Sequence, residues 1–193
     1  MLIDLLISKV RVKILELFLG NPDQIYHVRD IVRRVDEEIN AVRRELARLE
    51  KTGLLASEWR ANRRFYGAKK DFQFYFELLS MVNKSVGLGG AILSNKAKLG
   101  KVRYAMLSGS FVRGKPYTQN DVDLFVVGTI VLPELGAIVR EEEARRTREI
   151  NFTPMTEEEF TFRKSRRDPF VMSILSKPRV MLIGDEEEMV KLQ

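Results

Sequence analysis

Two short segments hold the side chains whose types and spacing could do chemistry. One reads Leu107-Ser108-Gly109-Ser110-Phe111-Val112-Arg113-Gly114, and the other Asn120-Asp121-Val122-Asp123-Leu124-Phe125-Val126-Val127. The apolar run before Ser108 predicts a strand that enters a Gly-Ser turn and opens a helix. Gly109 permits close approach of a phosphate to the backbone. The amides at the helix start and the Ser110 hydroxyl can donate hydrogen bonds to that phosphate, and Arg113 can support the loop or the triphosphate charge. Asp121 and Asp123 stand two apart on a predicted strand over 120–127, so they project from one face. Two like charges this close are costly without a cation between them. With oxygen ligands only, that cation is Mg2+ (or Mn2+), bridging the carboxylates and the phosphates of an NTP. The chemistry such a set would perform follows in-line phosphoryl transfer, with the metal steadying the charge while an acceptor oxygen attacks.

This constellation resembles the minimal nucleotidyltransferases of the DNA polymerase beta-like superfamily. Their pattern is Gly-Ser, usually followed by Ala-Arg-Gly, then Ser-Asp-x-Asp. Val112 stands here in place of the Ala, and Asn120 in place of the Ser. The likeness covers about residues 100–155. It implies a third carboxylate on the next strand, acting as metal ligand and as base for the acceptor. That strand, predicted over 149–153, begins after Arg148 as Glu149-Ile150-Asn151-Phe152, with Glu149 and Asn151 on one face. If Glu149 takes the third position, it joins Asp121 and Asp123 as a catalytic residue. If Asn151 takes it, no base is available and metal binding is weaker. Some stand-alone relatives act as antitoxins that nucleotidylate a toxin, so the resemblance also implies a possible toxin-like protein partner.

The elements that must position these residues follow from periodicity and punctuation. Leu5, Leu6, Val10, Ile14, Leu17 and Phe18 predict a helix over 4–19, stopped by Gly20-Asn21-Pro22. Gln24 to Tyr26 reads as extended, and Val28 to Val35 as a short helix. Asp36-Glu37-Glu38 opens the next helix, which buries Ile39, Val42, Leu46 and Leu49 and ends at Gly53. Leu54 to Trp59 and Phe65 to Ala68 are strand candidates around a basic turn. An aromatic-rich helix spans 71–83. From about residue 101 strands alternate with helices, including a helix from Pro133 to Arg146. Thr156-Glu157-Glu158-Glu159 is a capping box, Asp168-Pro169 starts another helix, and Arg179 to Ile183 is the last strand. The predicted fold class is α+β: an N-terminal winged helix-turn-helix plus a C-terminal nucleotidyltransferase α/β domain with a mixed sheet. The domains fall at 1–83, a linker or connecting helix at 84–100, and 101–193.

Three helices followed by a two-stranded ribbon is the order of a winged helix-turn-helix. The stretch from Asn40 through Arg43-Arg44-Glu45-Leu46 to Gly53-Leu54-Leu55 resembles the recognition helix and wing entry of ArsR/MarR-like regulators. Asn40, Arg43 and Arg44 fall off the buried stripe, where they can meet bases or phosphates. Arg60, Arg63 and Arg64 sit at the wing tip. Asp36, Glu37 and Glu38 would repel phosphate if the helix entered a groove nose-first. His27 reads as a capping or packing residue, and Trp59 with the aromatics of 72–76 as core or dimer contacts.

Composition bounds the partners. The 193 residues contain no cysteine and one histidine, which removes thiolate and imidazole-rich metal sites. The net charge of +6 suits a polyanion such as DNA. No apolar run reaches membrane-span length, and the first eight residues read as a helix start and not as a signal peptide. The expected setting is cytoplasmic, with no membrane partner, and a homodimer formed through the first or the aromatic helix. Three readings of function remain open: a transcriptional regulator whose second domain senses a nucleotide, an active nucleotidyltransferase, or a protein-interaction module.

Overall fold

The computed structural model describes residues 6–115, 121–146 and 148–191. The fold is α+β, and the chain divides into two compact units, Met1–Val86 and Gly87–Gln193.

In the first unit, α1 (Lys9–Gly20) begins later than its periodicity predicts, because the Ser8 side chain accepts the Arg11 amide and caps it there. The strand β1 (Tyr26–His27) leads into α2 (Val28–Val35), and α3 (Ile39–Lys51) follows. The strands β2 (Leu55–Arg60) and β3 (Arg63–Ala68) and helix α4 (Tyr75–Ser85) complete the unit. The sheet order is β1-β3-β2, all antiparallel. Val12, Ile14, Phe18, Ile31, Val42 and Leu46 interleave in a core that leaves each at 1% exposure or less. Such burial stabilises by roughly 1.5–3 kcal/mol per large side chain. The wing strands run further than the apolar residues indicated. Arg60 pairs opposite Arg63, so only Ala61-Asn62 form the turn, with Ala61 at φ 50°.

In the second unit, α5 (Gly87–Ser94) and a short 3-10 turn at Lys96–Lys98 occupy most of the stretch assigned to a linker or connecting helix. Helix α5 packs on α7 (Leu132–Arg146). The strands are β4 (Gly100–Ser108), β5 (Leu124–Ile130), β6 (Phe152–Met155) and β7 (Arg179–Ile183). They form a mixed four-stranded sheet in the order β6-β5-β4-β7, with only β5 and β6 parallel. The parallel pair follows from the α7 crossover between them. Strand β5 is fully buried from Leu124 to Val127, which explains its unbroken apolar run. A one-turn helix α6 (Gly109–Val112) follows β4, and α8 (Glu157–Ser165), α9 (Pro169–Leu175) and α10 (Glu186–Val190) come after β6. Phe125, Val127, Met106 and Tyr104 of the sheet pack with Phe160, Val171, Ile174 and Met189 of these helices.

Two predicted strands shift. The one expected to start at Asn120 begins at Leu124, so Asp121 and Asp123 lie on its approach and not within it. Asn120 itself lies outside the described residues. The strand expected to start at Glu149 begins at Phe152.

Candidate functional site

Two places gather the residues singled out above. In the second unit the Gly-Ser turn and the acidic pair do come together. Ser110 and Asp121 line one small cavity of about 20 Å3 with Ser108, Ser173 and Lys177. The Ser108 amide donates to the Asp123 carbonyl at 2.9 Å, which ties the end of β4 to the acidic segment.

The turn has partners of its own. The Gly109 amide donates to the Pro178 carbonyl at 2.7 Å. A Cβ on Gly109 would lie 2.7 Å from that oxygen and 2.9 Å from the Pro178 Cβ. Glycine is therefore needed here for the approach of the chain entering β7, whatever ligand the turn meets. The Phe111 amide is capped by the Ser108 hydroxyl at 3.2 Å. Two amides read as phosphate donors thus already have acceptors within the chain.

The acids are engaged as well. Asp123 is 1% exposed. Its Oδ1 accepts from Arg148 Nη2 at 3.2 Å, and its Oδ2 from the Asn151 amide at 3.1 Å. Burial pushes the Asp123 carboxyl above its ordinary range, against the Asn151 amide and the Arg148 guanidinium, which favour the charged form. Asp121 Oδ1 accepts from Lys177 Nζ at 3.1 Å. Asn151 is the residue that meets the pair: its side-chain Nδ2 donates to the Asp121 carbonyl at 3.0 Å. The parallel register that sets Leu124 beside Phe152 brings Asn151 beside Asp123. Glu149 is exposed, and among the described residues no hydrogen bond or ion pair joins its side chain to Asp121 or Asp123. Arg113 follows α6 at its C-terminal end.

These residues fit a bound Mg2+ poorly. Among the described residues no three carboxylate or imidazole side chains cluster as a metal site. Both oxygens of Asp123 already hold donors. The two cations concerned, Arg148 and Lys177, were not singled out from the sequence. The only signal for either was the position of Arg148 one residue before Glu149.

The second place is a concavity of about 800 Å3 in the first unit, between α3 and the wing. Arg43 and Ala47 of α3, Arg29 of α2, and Trp59, Asn62, Arg63 and Arg64 of the wing line it. Among the described residues, no carboxylate lies within ion-pair distance of Arg29, Arg43, Arg44 or Arg63, all of them exposed. The other arginines nearby are paired. Arg33 and Arg34 meet Asp30, Arg48 meets the buried Glu45, and Arg60 meets Glu58. Arg64 forks onto both oxygens of Glu50 at 2.9 and 2.8 Å and lies over the Tyr66 ring. It braces the wing against α3 more than it projects.

Of the six residues predicted to meet DNA, the structure gathers Arg43, Arg63 and Arg64 around the concavity and leaves Asn40, Arg44 and Arg60 outside its lining. Asn40 and Arg44 are exposed on α3. Arg29 was not singled out from the sequence, although it stands four residues before Arg33 on the same helix face. Trp59, expected in a core or a dimer contact, is 69% exposed and lines the concavity. His27 caps α2 by accepting the Asp30 amide on Nδ1 at 3.0 Å and stacks edge-on with Phe65. Two of the three acids ahead of α3 have partners, and Asp36 stays exposed. Glu37 pairs with Lys9 and Lys13, and Glu38 caps α3 by accepting the Asn40 and Ala41 amides at 2.9 Å. Those amides hold the Glu38 carboxyl below its ordinary range.

Among the described residues no helix is long and apolar enough to cross a membrane. No protein-family model matches the chain, and no curated protein or solved structure is similar to it at a significant level.

Proposed function

We propose that this protein binds double-stranded DNA through the face formed by α3, the start of α2 and the wing, as a transcriptional regulator does. The observation that carries the reading is the sorting of the arginines. Those around the concavity at Arg29, Arg43 and Arg63, with Arg44 beside it, lack carboxylate partners, while those behind it are neutralised within the unit. Guanidinium groups gathered on one face with no ion pair of their own repel each other, and a polyanion lying against them relieves that repulsion. The placement suits the purpose, because a helix in a major groove with a wing beside it presents two basic edges to flanking phosphates. The repulsion expected from Glu37 and Glu38 is offset by their lysine and amide partners.

Nucleotidyl transfer finds less support. The Gly109 and Phe111 amides and both acids of the pair have partners in the chain, and Asn151 meets the acidic pair where transfer calls for a carboxylate.

The test is a fluorescence-anisotropy titration of labelled duplex DNA with the full chain across a range of salt concentrations. The expected result is binding at low salt whose log affinity falls linearly with log salt. No anisotropy change at low salt with folded protein would remove the proposal. As a parallel measurement, labelled ATP, GTP, CTP and UTP test transfer, and label moving to any acceptor would reinstate the enzymatic reading.

A further inference from the structure

The guanidinium beside Asp123 is built in on three sides. Arg148 Nη2 donates to Asp123 Oδ1 at 3.2 Å, and Nη1 donates to the Lys115 carbonyl at 3.1 Å. The plane lies over the Phe111 ring, 5.6 Å from its centre. The side chain is 26% exposed, against 1% for Asp123. A carboxylate this deeply buried needs a positive partner to stay charged, and Arg148 supplies it through the rigid geometry that suits arginine to such sites. The second acid, less deeply buried, is met by the half-exposed Lys177, at 3.1 Å from Asp121 Oδ1.

A divalent ion would have to displace this arrangement. Mg2+ demands near-octahedral oxygen ligands at about 2.0–2.1 Å and gives up its own water reluctantly. Taking both acids as ligands would set it against the Arg148 guanidinium at one oxygen and the Lys177 ammonium at the other. The Asn151 side chain adds no charge to hold it, and already donates to the Asp121 carbonyl. A cation carried on the chain is present at every metal concentration and loses no translational freedom on arrival.

We infer that Arg148 and Lys177 are the resident cations of the Asp121–Asp123 pair, so that the second unit takes no Mg2+ or Mn2+ there and is held together by ion pairs where a metal would otherwise sit. This is independent of DNA binding by the first unit.

The test uses the full chain. Mn2+ is titrated into wild type and Asp121→Asn and followed by the EPR signal of free Mn2+, while melting temperature is followed with and without millimolar Mn2+. The expected result is equal free Mn2+ over both proteins and a wild-type melting temperature that the ion leaves unchanged. Arg148→Ala is expected to melt several degrees lower, because Asp123 is left buried without its cation. Adding Asp123→Asn to that variant should recover most of the loss. Uptake of one Mn2+ per chain by wild type, abolished in Asp121→Asn, would overturn the inference. So would an Arg148→Ala protein that melts with wild type. If Arg148→Ala does not fold, the more exposed Lys177→Ala takes its place, and its melting temperature should fall and be partly restored by Mn2+.

Discussion

Replacing Arg43 and Arg63 together by alanine tests the DNA face most directly. Each phosphate neutralised by a protein cation contributes about 0.9 to the slope of log affinity against log salt. If Arg29, Arg43, Arg44 and Arg63 each meet one phosphate, the wild-type slope is about −3.6, and the double variant should fall to about −1.8. Between 50 and 200 mM salt, the wild type then loses roughly 150-fold in affinity and the variant only about 12-fold. The comparison is clean because neither side chain is ion-paired and both are exposed. Exposed, unpaired substitutions of this kind change stability by about 0.5 kcal/mol or less. Arg145→Ala with Arg163→Ala removes the same charge from the second unit, where both arginines are paired to glutamates. That control should keep the wild-type slope. The assay is anisotropy of labelled duplex DNA at several salt concentrations. An Arg43/Arg63 variant with an unchanged slope, or a control that loses as much, would refute the assignment of the face.

Trp59 is the only tryptophan in the sequence and lines the concavity, so DNA titration should change its fluorescence emission. A spectrum that stays constant through saturation would put the DNA elsewhere. Gly109→Ala should destabilise by about 1–3 kcal/mol in the absence of any nucleotide, because its Cβ must push into Pro178. Thermal unfolding measures this, and a variant that melts with wild type would return Gly109 to a ligand role. Glu38 contributes stability through a carboxyl held low by the Asn40 and Ala41 amides. That contribution is fully present above the unfolded carboxyl range and is lost as pH falls through the depressed value. Wild type should therefore out-melt Glu38→Ala at neutral pH, with the gap closing in acid. A gap that persists unchanged to the lowest pH would mean that the cap does not act through its charge.

Much of the fold was legible because local chemistry decides it. Thr156 and Asp168 sit as side-chain caps at the helix starts their motifs indicated, accepting the Glu159 and Val171 amides. The apolar spacing of Ile31, Val35, Val42 and Leu46 marked the buried faces of two helices. Boundaries were less legible where a cap or a turn lies outside the apolar pattern. The wing strands run out through charged residues to a two-residue turn, because the ladder bonds need no apolar side chain.

The site divides along the same line. Residue types and spacing alone determined that a Gly-Ser turn leads a pair of acids, and that a basic helix precedes a basic wing, because these are properties of neighbours along the chain. Helical spacing already couples Arg33, Arg34 and Arg48 to acids three or four residues away, and tertiary structure alone decided that Arg64 forks onto Glu50. Asp30, Glu45 and Glu58 pair with arginines two to four residues away on their own helix or strand, whereas Glu50 takes Arg64 across from the wing. The same holds for the acidic pair. Arg148 and Lys177 reach it from 25 and 56 residues away, and the residue leading into the parallel strand, Asn151, presents an amide. Charge compensation acts through space within a few ångströms, so no spacing along the sequence could reveal these two long-range pairs.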